Sequence, residues 1–267
     1  KSFFSSSFCY SNINSLVHFL RRDTLDLFRV SDNIILNPIV MWKNMLDPLD
    51  ILSGTFSILT VVIATLVGII IISKYFHYQR KEFLLVGLTA LILVEPWWPS
   101  AISICCYKKK KKGIPITLYF FLGNAFIPIG IMSWLLALVN LIFEKRKKLL
   151  LSLGFIYSIV FEIHFLYSLF TNPLSIGSMR GAVDVEYTNI MMGFLFSVVI
   201  YILVTGILFA MHSIRSTNRE VKLKGLLLLI GFTSFSVGAF IDALLLFTPI
   251  TLIIARGILI SCAVELY

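Results

Sequence analysis

Residues 51–73 read ILSGTFSILTVVIATLVGIIIIS, with no charged side chain among them. A helix rises about 1.5 Å per residue and the hydrocarbon core of a bilayer is about 30 Å thick, so about 20 apolar residues suffice to cross it. This run is long enough. Six more follow, near 83–106, 114–143, 149–171, 189–211, 225–246 and 249–267. Backbone exposed to lipid must satisfy its own hydrogen bonds, so the runs are expected to be helices. The ten-residue alternation of a barrel strand does not occur. The expected fold is all-α: a polytopic seven-transmembrane-helix bundle over residues 46–267.

The rest of the composition agrees. The chain has 267 residues, of which 58% are apolar and 14% charged. Its mean hydropathy is +0.92. Soluble domains carry about 25% charged residues. A soluble fold, a disordered chain and a disulfide-stapled secreted module are therefore excluded. The net charge of +9 sits mainly in short gaps between apolar runs, where membrane proteins keep basic residues. The expected partner is the lipid bilayer, not nucleic acid.

Loop charge sets an expected orientation. The gaps after spans 1, 3 and 5 hold Lys74, Arg80 and Lys81, then Lys145, Arg146, Lys147 and Lys148, then Arg215, Arg219, Lys222 and Lys224. The gap after span 4 has only Arg180, beside Asp184 and Glu186, and the gap after span 6 has no basic residue. The positive-inside rule makes this a multi-pass protein of the cell membrane with its N-terminus outside and its C-terminus in the cytoplasm. Lys108–Lys112, after span 2, runs against that pattern.

The ends read differently. Residues 1–45 are polar and mixed, without the apolar region and cleavage site of a signal peptide, and are expected to be poorly ordered or interfacial. The first Met is Met41, and Met41 or Met45 is the expected native start. The last run stops at Tyr267 without a basic flank, so further chain is expected beyond it. Cys9, Cys105, Cys106 and Cys262 have no metal-ligand spacing, and no metal or cofactor is expected.

Two short motifs recur in order. Leu84–Leu91 reads LLVGLTAL and Leu228–Phe235 reads LLIGFTSF; Pro115–Leu118 and Pro249–Leu252 both read PITL. Spans 1–3 and 5–7 are thus expected to be parallel copies joined by span 4. This 3+1+3 layout resembles the group that unites small transporters, opsins and seven-helix receptors. The stretches VEPWWPS (Val94–Ser100), LGNAFIPIG (Leu122–Gly130) and PITLIIARGILIS (Pro249–Ser261) resemble seven-span membrane proteins of archaea. The resemblance implies the fold and no particular activity.

Polar groups at bilayer depth mark the candidate site. An ionisable group there costs about 2.5–3.5 kcal/mol on insertion scales, so it is expected to have a partner or line a cavity. Glu95 lies in span 2, Asn124 in span 3, Glu162 and His164 in span 4, Asp242 in span 6 and Arg256 in span 7. Spans 6 and 7 are antiparallel neighbours, so Arg256 is expected to neutralise Asp242, Glu95 or both. Pro96 and Pro99 bracket Trp97 and Trp98 and are expected to break span 2 beside a cavity; Pro128 is expected to kink span 3. The expected ligand-binding set is Glu95, Trp97, Trp98, Asn124, Asp242 and Arg256, with Glu162 and His164 as buried polar residues. Span 7 has no lysine for a retinal Schiff base, and no nucleotide, hydrolase or metalloprotease signature occurs. A non-enzymatic sensor or receptor-like module for an unknown small molecule is expected; a small-solute transporter is the alternative.

Overall fold

The computed structural model describes residues 46–110, 113–244 and 248–265. The N-terminal segment 1–45 lies outside the described residues. The remainder is all-helical but for one hairpin. Its helices are α1 (Pro48–Tyr78), α2 (Lys81–Leu93), α3 (Trp98–Lys110), α4 (Ile116–Asn124), α5 (Ile127–Leu141), α6 (Lys147–Thr171), α7 (Asn189–Ile214), α8 (Arg219–Leu244) and α9 (Pro249–Glu265). They form seven columns, because α2–α3 and α4–α5 are each one column with a break. Among the described residues, six columns are long and apolar enough to cross a membrane. The seventh, α9, is shorter, so the run expected over 249–267 yields 17 helical residues.

Local chemistry explains the helix ends. The Asp47 side chain accepts from the Leu49 N–H at 3.4 Å and Pro48 opens α1, where a missing N–H costs nothing. Gln79 closes α1 in the left-handed region (φ 54°), with its N–H on the Tyr75 carbonyl. The chain then turns straight into α2. There α1 and α2 touch backbone to backbone: a Cβ on Gly87 would lie 2.8 Å from the Gly68 carbonyl and 2.5 Å from Ile72. Small residues let helices approach closely where lipid supplies no hydrophobic drive.

The third column is the most deeply buried. Ile127, Ile131, Trp134 and Leu138 of α5 pack with Phe161 and Phe165 of α6, Ile202 of α7 and Phe232 of α8. The Trp134 indole donates to Thr205 of α7 at 2.8 Å. Outside this core the columns present bare apolar side chains, among them Leu66, Ile69, Ile163, Phe170, Ile200 and Val204, all at least half exposed. So much exposed apolar surface fits a lipid solvent and no aqueous one.

Both expected breaks are present. Pro96 and Pro99 have no N–H to continue the α2 ladder, and a single 3-10 turn, Glu95–Trp97, joins α2 to α3. In the third column the chain leaves the helix at Ala125–Phe126, just before Pro128.

The all-α fold carries one short hairpin among the described residues. Strands β1 (Gly177–Arg180) and β2 (Asp184–Tyr187) pair antiparallel, with Gly177 opposite Tyr187 and Arg180 opposite Asp184. They lie between α6 and α7, at the end of the bundle where α1, α4, α7 and α9 begin. Three side chains fasten the turn. Asp50 of α1 accepts from the Ala182 N–H at 3.2 Å. Ser103 of α3 donates to the Ala182 carbonyl at 2.8 Å, and Tyr119 of α4 donates to the Val183 carbonyl at 2.9 Å. Ala182 and Val183 are buried by these contacts. The turn needs Gly181, whose φ is +78° and whose pro-Cβ direction points at the Asp50 carboxylate. Gly181→Ala is expected to cost about 1–3 kcal/mol of stability. Glu186→Ala, on the exposed side of β2, is expected to stay within about 0.5 kcal/mol. Thermal unfolding in detergent separates the two.

Candidate ligand site beneath the hairpin

Arg256 lies two turns into α9 and is 3% exposed. Its Nε donates to Asp242 Oδ1 of α8 at 2.8 Å, and its Nη1 donates to Ser57 Oγ of α1 at 2.9 Å. The Ser57 hydroxyl in turn donates to the Ser53 carbonyl at 2.8 Å. The Trp97 indole donates to Asp242 Oδ2 at 3.0 Å, and the Arg256 guanidinium sits 5.4 Å from the centre of the Trp97 ring. One cation thus joins columns 1, 2, 6 and 7. The expected Arg256–Asp242 pair is present. The expected Arg256–Glu95 contact is not among the ion pairs of the described residues.

Above this network lies a cavity of about 410 Å³. Its floor is Trp97, Asp242 and Arg256; its walls are apolar residues of α5, α7 and α8, such as Ile127, Met192, Leu195, Phe196 and Phe235. Its roof is the hairpin, which supplies Arg180, Asp184, Val185 and Tyr187. Ser100 and Tyr119 add two hydroxyls, joined to each other at 2.7 Å. On the roof, Arg180 grips Asp184 through Nε and Nη2 at 2.9 and 2.7 Å. Burial pushes the Asp184 carboxyl above its ordinary value, and the Arg180 guanidinium works against that push. Burial likewise raises the Tyr187 phenol well above its usual range; the Asn124 hydrogen bond opposes this, while Asp184 and Glu95 add to it. Two cations and three carboxylates line the cavity: Arg180 pairs with Asp184 and Arg256 with Asp242, while Glu186 on the exposed side of β2 adds a further carboxylate, so the local charge leans negative.

The expected site residues therefore divide. Trp97, Asp242 and Arg256 line the cavity. Trp98, the next residue in the chain, does not line the cavity and packs against the cluster of Ala64, Val94, Trp97 and Leu259. Glu95 and Asn124 are fully buried behind the cavity wall. Glu162 and His164 lie on α6 outside the cavity lining, Glu162 near enough to Glu95 to feel its charge and the His164 ring against Phe194 at 5.5 Å. The residues missed in the sequence are those of the roof: Arg180, Asp184 and Tyr187, with Tyr119 beneath. A signal for them exists. Opposite charges flank a three-residue turn containing glycine, Arg180-Gly-Ala-Val-Asp184, which is a hairpin pattern.

No protein-family model, curated protein or solved structure matches the chain. The site stands on its geometry. Removing one partner of a buried pair typically costs about 3–5 kcal/mol, because the other charge is left uncompensated. Arg256→Ala is expected to lower thermal stability in detergent by that order, and adding Asp242→Asn is expected to restore part of it. Simple additivity of the two losses would show that the pair is uncoupled.

Proposed function

We propose that this chain is a seven-helix sensor or receptor-like module of the cell membrane that binds a small molecule in the cavity beneath the hairpin. One observation carries the reading: a roofed, largely apolar cavity with a few fixed polar groups, the usual form of a small-molecule site. Its volume of about 410 Å³ suits a compact ligand. The two ion pairs and the additional Glu186 carboxylate disfavour an anion and suit a neutral or zwitterionic molecule with an apolar body, its positive group toward Glu186. Trp97 and Tyr187 offer ring faces to such a body. All seven columns crossing the membrane is part of the proposal. In support, α9 keeps Leu252, Ala255 and Leu259 buried in the bundle and is about 26 Å long at the usual rise.

A second reading is a small-solute transporter built from two parallel three-column copies. In its favour, the second column of each half packs against the first and the third: α2 against α1 and α5, α8 against α7 and α9. Against it, the paired threonines differ, Thr89 being buried and Thr233 exposed.

Two measurements test these readings. Tryptophan fluorescence and thermal shift across a panel of compact zwitterions and neutral amphiphiles are expected to find a binder whose effect is lost in Trp97→Phe. Uptake of that binder into proteoliposomes would favour transport; binding without uptake would favour sensing. For orientation, the roof is proposed to face outside. In a cysteine-free background, a membrane-impermeant thiol reagent on intact cells is expected to label Glu186→Cys and spare Thr217→Cys. Both positions are exposed. The reverse labelling would overturn the orientation.

A further inference from the structure

The breaks in the second and third columns lie side by side, and Glu95 stitches them. Its Oε1 accepts the Phe126 N–H at 2.8 Å, which a continuous helix would have given to the Leu122 carbonyl. Glu95 is fully buried, yet its Oε2 has no hydrogen-bond partner. No basic side chain of the described residues makes an ion pair with it. Two residues before Phe126, Asn124 is equally buried. Its Nδ2 donates to the Phe120 carbonyl at 3.0 Å and to Tyr187 Oη at 3.3 Å, which fixes the amide and leaves Oδ1 without a partner. The Tyr187 phenol is near enough to Glu95 to feel its charge. Pro128 has no N–H, so the Asn124 carbonyl also loses its helical donor.

The side-chain atoms of Glu95 and Asn124 left without a partner at the breaks are oxygens, Oε2 and Oδ1. A carboxylate oxygen, an amide oxygen, a phenol oxygen and backbone carbonyls freed by the break are gathered at bilayer depth, and two of them are fully buried acceptors without donors. Orphaned buried acceptors are costly and call for an ion, a water or a strained purpose. Unwound carbonyls beside a carboxylate are how discontinuous membrane helices hold small hard cations. Glu95 is the carboxylate at the breaks, and Glu162 of α6, near enough to feel its charge and also with an orphaned oxygen, adds to the pull on one positive charge; calcium takes six to eight oxygens, usually with several carboxylates in its shell. Arg256 is already held by Asp242 and Ser57 and does not supply that charge. We propose that Glu95 and Asn124 form a buried site for a small monovalent cation, sodium in the first instance, at the paired breaks, separate from the cavity but joined to its roof through Tyr187.

The test uses the full chain in detergent. Equilibrium dialysis with radioactive sodium is expected to give saturable binding of about one ion per chain, lost in Glu95→Gln. The glutamine oxygen can still accept the Phe126 N–H, so the variant keeps the stitch and loses the charge. Exchanging choline chloride for sodium chloride at equal ionic strength is expected to raise the wild-type unfolding temperature by several degrees. Glu95→Gln is expected to show no such rise. Absence of saturable sodium binding in the wild type overturns the proposal, whatever Glu95→Gln does. So does binding that survives undiminished in Glu95→Gln.

Discussion

The buried Arg256 guanidinium is the constraint on which the bundle closes. It belongs to the last column, yet it bonds Asp242 of the sixth and Ser57 of the first, and lies over Trp97 of the second. A charge at this depth costs about 2.5–3.5 kcal/mol to insert alone. The cost is met when several columns meet at one point, so the same charge that is expensive in isolation specifies how the first and last columns dock. Asp242 is the complement, since its two oxygens are divided between the guanidinium and the Trp97 indole. The floor of the cavity is made of these same groups. A ligand entering there would compete with, or extend, the contacts that hold the columns together.

The two broken columns supply the shape. A straight second column would carry Trp97 and Ser100 onto different faces from those they occupy. The prolines interrupt the ladder, and the 3-10 turn rotates α3 relative to α2, so Trp97 reaches Asp242 while Ser100 reaches Tyr119. The freed Phe126 amide of the third column is bonded by Glu95 of the second. Each irregular backbone is thus buried against the other, the only setting in which lipid tolerates it.

The hairpin turns an open end into a roofed chamber. Its turn is held by side chains from the first, second and third columns, through Asp50, Ser103 and Tyr119. Its outer part meets the chamber through Arg180, Asp184 and Tyr187. A short two-stranded ribbon is marginal alone in water. Here its backbone groups and buried turn residues make it an extension of the bundle.

The sequence alone determined the solvent and the elements. Unbroken apolar length leaves helices as the way to satisfy backbone groups in lipid, and proline lacks a donor wherever it stands, so the columns and both breaks were legible. So was the Arg256–Asp242 pair, because a tight turn makes α8 and α9 antiparallel neighbours at known depth. Tertiary structure decided direction. Whether Glu95 faces Arg256 or the Phe126 amide, and whether Trp97 or Trp98 faces the cavity, depends on the rotation that the 3-10 turn imposes. Apolar residues surround these columns on every side, so periodicity does not reveal which face is inward. The hairpin was obscured for a related reason. Its four-residue strands carry little pattern of their own, and its turn is held by Asp50, Ser103 and Tyr119, residues brought to it only when distant columns pack.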